Sequence, residues 1–448
     1  MSVLIRSQRV CAIGLWHLGS VVSACLAELG HQVIGVDPDA ERVKKLNRGV
    51  PPLFEPGLEE LVKKHVASKR LAFTTRLSEG VPHAEVVLLT FDTPVDANDE
   101  LDLSPITGTI SAAAPFLRPD ALVVIQSQIP VGTCEELKAR IERLNPRWKP
   151  QLACVPENLR LGQAIPRFLA PAMLVIGADD AATQERADRF FAGVKTPNRI
   201  RVNLRTAEMT KHALNAFFAT CVSFANELGL LCDEIGSDGF RIAEVMRLDE
   251  RIGPKALVFP GAPFGGGTLA RDLKVLQGLG KGRESGTPLI DAVLAVNARQ
   301  QGLVESRLTT LFGTLKGLKI GVFGLTYKAG TSTLRRSPAI ELINRLMDQG
   351  SRVKAYDPKA DREELGSVRF RVCASPQEAA EGADALIIAT EWPEFKALDF
   401  AALRLRVRRP VILDAKNLLE PAHVTGAGFR YFGIGRGTMI SAGEGNSR

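Results

Sequence analysis

The feature that most constrains this chain is a strand, glycine turn, helix, strand pattern that occurs twice. From Arg9 to Asp37 an apolar strand (Val10 to Ile13) runs into Gly14-Leu-Trp-His-Leu-Gly19, then an apolar helix (Ser20 to Leu29). Gly30 stops that helix before a second strand, Gln32 to Val36. From Lys319 the theme returns as Ile320-Gly-Val-Phe-Gly-Leu325, a helix at Pro338 to Asp348, Gly350, and Val353-Lys-Ala-Tyr-Asp-Pro358. Each copy has the form of a nucleotide-binding βαβ unit. Further strand-like runs at Val86 to Thr90, Leu122 to Ile125, Leu152 to Val155 and Met173 to Ile176 extend the first copy into a parallel, doubly wound sheet over about residues 1–200. Between Leu204 and about Leu311 the strand signal fades. There Thr206 to Ile235 carries Leu214, Phe217, Phe218, Cys221, Phe224, Leu228 and Leu231 at helical spacing, a stripe wide enough for more than one neighbour and a candidate dimer core. The expected fold is α/β, with two Rossmann-like doubly wound domains (1–203 and 313–434) joined by a central α-helical domain (204–312). A Gly/Ser-rich flexible tail covers 435–448.

Composition narrows the class of function. The 448 residues carry 57 Lys+Arg against 50 Asp+Glu, a net +7 that is scattered apart from the run Arg404 to Arg409. No zinc-finger spacing, RNA-binding aromatic motif or basic heptad helix is present, which argues against nucleic acid as the partner. No apolar run approaches the ~18 residues of a membrane span, and Arg6 and Arg9 break the N-terminal stretch, so it does not read as a signal peptide. Seven cysteines, at 11, 25, 134, 154, 221, 232 and 373, are far apart and mostly sit in apolar segments. They read as buried thiols of a cytoplasmic protein. The six histidines show no HxxxH or HExxH spacing, so no metal is expected.

In a dinucleotide fold the first glycine makes the tight turn, the next ones admit the diphosphate and the helix, and an acid at the end of the second strand takes the ribose hydroxyls. Gly14, Gly19 and Asp37 occupy such positions, while Trp16 stands where backbone usually meets diphosphate. A two-glycine turn by itself also fits a plain βα connection. The strand context and Asp37 favour the cofactor.

Several further segments fall in one order along the chain. They include Glu55-Pro-Gly-Leu58, Thr93-Pro94, Val155-Pro-Glu-Asn-Leu-Arg160, Lys211-His-Ala-Leu-Asn215, Arg251-Ile-Gly253 and Phe264-Gly-Gly-Gly-Thr-Leu-Ala-Arg-Asp272. Beyond these lie the Gly324-Leu-Thr-Tyr-Lys328 turn with Arg335-Arg-Ser-Pro338, and Thr390-Glu-Trp-Pro-Glu-Phe-Lys396. From about residue 9 to 420 the chain therefore resembles the UDP-glucose/GDP-mannose dehydrogenase family. That resemblance implies a homodimer with an NAD-binding domain, a central dimerisation domain and a UDP-sugar-binding domain. It also implies two successive oxidations of a sugar C6 alcohol to a carboxylate.

Carried over position by position, the resemblance gives Lys211 and Asn215 the C6 oxyanion; their i, i+4 spacing puts both on one helix face, as it would any solvated pair. Asp272 corresponds to the acid that holds water and assists proton removal, and Glu157 to the one implicated in hydrolysing the covalent intermediate. Gly14, Trp16, Gly19, Asp37, Thr93, Gln128, Arg271 and Arg335 fall on the cofactor side. Arg160, Arg251, Phe264, Gly265 and Lys328 fall on the substrate side, with Arg251 reaching the neighbouring subunit's substrate. Thr268 stands where the family has its nucleophilic cysteine, and an unassisted hydroxyl is a poor nucleophile. Leu161, Gln128, Arg271 and Lys416 also depart from the pattern. The resulting expectation is an NAD-dependent enzyme of the UDP-glucose type that stops at the aldehyde; the alternative is an inactive homologue that binds a nucleotide sugar or a partner.

Overall fold

The computed structural model describes residues 6–91, 93, 101–334, 336–366 and 368–437. It divides into two compact units, with the boundary between Leu214 and Asn215 inside one helix, Leu204–Ile235. Arg335, Pro94 and residues 438–448 of the expected tail lie outside the described residues.

In the first unit, eight strands form one sheet: β1 (Arg9–Ile13), β2 (Gln32–Val36), β3 (Leu71–Thr74), β4 (Val86–Leu89), β5 (Leu122–Ile125), β6 (Leu152–Cys154), β7 (Leu174–Gly177) and β8 (Arg199–Val202). Their order is β3-β2-β1-β4-β5-β6-β7-β8. The central strands are apolar throughout because helices cover both faces. Val86, Leu88, Leu122 and Val124 pack into one core, and Val87, Leu89, Val123 and Ile125 into the other. One pairing departs from the expected all-parallel sheet: β6 meets β7 antiparallel at Cys154 and Gly177, and β8 then runs parallel to β7.

Only helices lie in sequence between β8 and the next strand, from Leu204–Ile235 to Leu303–Phe312. Among the described residues, Leu204–Ile235 is long and apolar enough on length and composition to cross a membrane. This corrects the expectation that no apolar stretch approaches that length: scattered polar residues interrupt the run without lowering its mean hydropathy below that of a span. Yet Glu208, His212, Asn226 and Asp233 along this helix are buried and bonded to the protein's own backbone, polar positions that bind it to the rest of the protein.

The second sheet is built from β9 (Lys319–Phe323), β10 (Arg352–Tyr356), β11 (Arg371–Val372), β12 (Ala385–Ile388), β13 (Val411–Asp414) and β14 (Arg430–Gly433). Its order, β11-β10-β9-β12-β13-β14, repeats that of the first six strands of the first sheet, and every pairing is parallel. The helix Pro338–Asp348 begins where Pro fits the first turn and the Ser337 hydroxyl caps the Ala339 amide. It buries Ala339, Leu342, Ile343 and Leu346 on one face. Gly435 and Gly437, the start of the expected tail, donate their amides to Asp233, each at 2.9 Å.

Candidate active site

The first unit ends β1 in the glycine turn. Gly14 has φ +95°, a conformation that L side chains rarely adopt, and its amide donates to the Val36 carbonyl at 2.9 Å. A Cβ on Gly19 would lie 1.6 Å from the Gly14 carbonyl oxygen, so helix and strand approach closely only with glycine there. Trp16 is half-buried and precedes the helix His17–Glu28, whose start no side chain caps. At the end of β2, buried Asp37 accepts the Leu15 amide on Oδ2 at 2.7 Å, and Arg42 Nη1 (2.6 Å) and the Asp39 amide (3.0 Å) on Oδ1. Arg42 also pairs with Asp39 at 3.1 Å, and its guanidinium stands 5.2 Å from the centre of the Trp16 ring. The Thr93 hydroxyl donates to the Gln128 carbonyl at 2.6 Å, joining the loops beyond β4 and β5. A positive-φ glycine, an uncapped helix start and a buried acid fit a dinucleotide. Trp16 stands at that helix start without removing any of the three.

Glu157 follows β6 and accepts the Leu159 amide at 2.5 Å; its Oε1 lies 3.5 Å from Nζ of buried Lys211. Two further residues hold the helix that carries Lys211. Glu208 accepts the amides of Gly132 and Cys134, each at 2.7 Å, and His212 donates from Nε2 to the Ile129 carbonyl at 2.8 Å. Burial raises the Glu208 carboxyl above its ordinary range even against those amides. Arg160 is exposed.

In the second unit Asn215 and Asp272 are both buried, and the Asn215 amide donates to the Asp272 carboxylate. Arg271 Nε lies 3.7 Å from the other Asp272 oxygen. Thr268 is exposed on the first turn of the helix Gly266–Gly280, one turn before Asp272. The preceding loop is pinned by carboxamides. Asn297 accepts the Phe264 amide at 2.9 Å and donates to its carbonyl at 3.1 Å, while Gly261 is held by Asn226 at 2.8 Å and Gln300 at 2.6 Å. Gly265 has its own constraint, since a Cβ there would stand 2.2 Å from Pro338 Cγ. Lys328 is half-buried beyond the Gly324 turn, and Arg251 is exposed and paired with Asp249 at 2.7 Å. Among the described residues no group of three or more His, Cys, Asp and Glu is placed to hold a metal.

The structure thus joins Thr93 to Gln128, Glu157 to Lys211, and Asn215 and Arg271 to Asp272, while Arg160, Arg251 and Thr268 stay exposed. The sequence reading missed Arg42, Glu208, His212 and the three loop-pinning carboxamides. A polar side chain on an otherwise apolar helical stretch, as Asn297 is in Val296-Asn-Ala298, was the available signal.

Residues 8–195 match the NAD binding domain of the UDP-glucose/GDP-mannose dehydrogenase family, residues 205–299 its central domain and residues 321–421 its UDP binding domain. The UDP-glucose 6-dehydrogenase of Pseudomonas aeruginosa is 37% identical over 443 residues, covering 96% of this chain and 97% of that one. The chain belongs to the UDP-glucose/GDP-mannose dehydrogenase family. By family it is an NAD-dependent nucleotide-sugar dehydrogenase, and NAD is its cofactor. The Rhizobium meliloti UDP-glucose 6-dehydrogenase is 36% identical, covering 96% of this chain and 99% of its own. Among solved structures, a UDP-glucose dehydrogenase from Pyrobaculum islandicum superposes with a TM-score of 0.88 at 30% identity, covering 97% of this chain and 99% of that one. A UDP-D-ManNAc dehydrogenase from Pyrococcus horikoshii gives 0.86 at 27%, covering 96% and 100%.

Proposed function

We propose that this member of the family oxidises the C6 alcohol of a nucleotide sugar of the UDP-glucose type and releases the aldehyde. The observation that carries the reading is the buried Asn215–Asp272 hydrogen bond, with exposed Thr268 one turn away on the helix of Asp272. NAD, when bound, accepts the hydride that leaves C6. The Lys211 ammonium and the second N–H of the Asn215 amide hold the C6 oxygen as its charge develops. The Asp272 carboxylate, directly or through a water, receives the hydroxyl proton. Gly14, Trp16, Gly19, Asp37, Thr93, Gln128, Arg271 and Arg335 serve the cofactor; Arg160, Phe264, Gly265 and Lys328 serve the sugar nucleotide.

The second oxidation needs a covalent nucleophile. A thiol near pKa ~8.5 is a few per cent thiolate at neutral pH, whereas a threonine hydroxyl needs an adjacent base. Among the described residues no base is hydrogen-bonded to the Thr268 hydroxyl. Glu157 then has no thioester to hydrolyse. A second reading, an inactive homologue that binds a nucleotide sugar or a partner, is favoured by the engagement of Asp37 with Arg42.

The division of labour follows the same proposal: 1–203 for NAD, 204–312 for dimerisation and 313–434 for the UDP-sugar. Phe217, Phe224 and Leu231 recur every seven residues, and each is about half exposed or more. Such a stripe suits a helix that meets its copy in a homodimer, with Arg251 reaching the neighbouring subunit's substrate. The seven cysteines, all free thiols, suit the cytoplasm.

With UDP-glucose and excess NAD, this reading expects about one NADH per sugar consumed, since only the second step is assigned to the thiol. Two NADH with a uronic acid product would overturn the truncated chemistry. Sugar-nucleotide binding without NADH would establish the second reading.

A further inference from the structure

The Glu55-Pro-Gly-Leu58 motif has no part in that chemistry, yet its carboxylate is almost completely enclosed, with the side chain 1% exposed. Oε2 accepts from His17 Nε2 at 2.9 Å and from the Gly162 amide at 2.9 Å, and Oε1 accepts from the Ala164 amide at 2.8 Å. Burial pushes the Glu55 carboxyl up, but His17 and the two amides outweigh it and hold the group below the usual carboxylate range. These donors belong to two different parts of the first unit. His17, itself buried, is the first residue of the helix that leaves the cofactor turn. Gly162, at φ +81°, and Ala164 close the loop that begins at Val155 and carries Glu157.

Ala164 also opens the helix Ala164–Leu169, whose own N-cap position, Gln163, supplies no side-chain bond. A local Ser or Asp would satisfy that helix start on its own. Here the acceptor comes from a residue 109 positions away in sequence and is shared with His17. Hydrogen bonds hold over a narrow range of length and weaken steeply as their angle closes, so a displacement of either part that misaligns these bonds is felt by the carboxylate they share with the other.

We propose that Glu55 is a positioning residue that couples the dinucleotide turn to the Glu157 loop, so that NAD docking at the helix start fixes the placement of that loop. The proposal rests on the cofactor reading for the turn. A coupling of this sort is a difference in free energy between bound and free states, and it disappears when either end is cut.

The test combines calorimetric titration with NAD and hydrogen-exchange mass spectrometry with and without NAD. In the unaltered protein NAD binds, and it slows exchange both in the peptide around Gly14 to Ser20 and in the one around Pro156 to Ile165. His17→Phe keeps the ring volume and removes the donor. NAD should then still bind, about tenfold more weakly, and slow only the first peptide. Glu55→Gln, which keeps the shape and one acceptor oxygen, should lose the same distal slowing and raise the KM for the sugar nucleotide about tenfold with kcat unchanged, because Arg160 rides on that loop while Glu157 has no thioester to hydrolyse. It covers the case in which the phenylalanine variant does not fold. A residue that merely caps a helix would lower the melting temperature of Glu55→Gln and leave the distal slowing intact, which overturns the proposal. So does NAD binding to the unaltered protein without any slowing at 156–165. Failure of NAD to bind at all, read from the titration alone, defeats the cofactor reading and takes the proposal with it.

Discussion

The two Rossmann-like sheets share a strand order and a turn, and they differ in what their acids do. Gly14 and Gly324 have φ +95° and +100°, their amides donate to Val36 and Tyr356, and Leu15 and Leu325 each donate to an aspartate Oδ2 at 2.7 Å. In the first unit that aspartate, Asp37, has Arg42 and the Asp39 amide as its remaining partners, and a helix begins immediately after the turn at His17. In the second, Asp357 is filled from within the fold. Oδ2 also takes the Thr326 amide and hydroxyl and the Trp392 indole N–H, Oδ1 takes the amides of Lys359 and Ala360, and the next helix waits until Pro338. One unit keeps its acid at a helix start, where half-buried Arg42 is its one side-chain partner and the other two are backbone amides. The other spends the same acid on packing. The difference explains how one βαβ plan can serve NAD in one unit without offering a second dinucleotide cradle in the other.

The comparison breaks most visibly at the two acids. Asp357→Asn leaves donors facing a weaker acceptor inside the fold, and should cost about 3 kcal/mol in denaturant unfolding while leaving NAD affinity unchanged. Asp37→Asn should do the reverse, weakening NAD about tenfold by calorimetry, or about 1.4 kcal/mol, with a smaller loss of stability. Equal effects of the two variants on NAD would erase the distinction.

A smaller effect concerns pH. Burial raises the Asp414 carboxyl of β13 above the usual range, although the Leu419, Leu418 and Lys416 amides and the Tyr431 hydroxyl oppose the shift. Such a group holds its proton more tightly folded than unfolded. Its contribution is therefore full below about pH 4 and is lost as pH rises through the folded-state value. Asp414→Asn cannot release that proton, so its deficit against the parent should shrink between pH 4 and 7. A deficit that grows over that interval would show that Asp414 is ionised in the fold.

The smallest change expected is at Trp16. Trp16→Gly removes the ring beside Arg42, a contact worth about 0.5–1 kcal/mol at an exposed site, and opens the turn to backbone approach. NAD affinity should rise about three-fold, within the range of that contact. Weaker binding would make Trp16 part of a rebuilt cofactor site and sharpen the contrast with the closed Asp357 turn.

How much the sequence discloses follows from the range of each interaction. The strand Gln32–Val36 and the helix Pro338–Asp348 appear at the residues the pattern specified. Their signals are local: alternation and glycine boundaries for one, Ser-Pro capping and apolar residues three and four apart for the other. The order of the motifs likewise specified the family, because it needs no coordinates. The antiparallel β6–β7 pairing was not legible, since it depends on which sheet edge is open when β7 arrives.

Chemistry at the candidate site divides the same way. That Thr268 replaces a thiol is visible in one letter, as is Trp16 in the glycine turn. That Asn215 is bonded to Asp272, 57 residues on, that Asn297 clamps Phe264, or that Glu55 ties His17 to Gly162 could not be read from spacing. A carboxylate or amide names only the bonds it is able to make. Burial then demands that those bonds be satisfied, and the packing of distant segments chooses the partners.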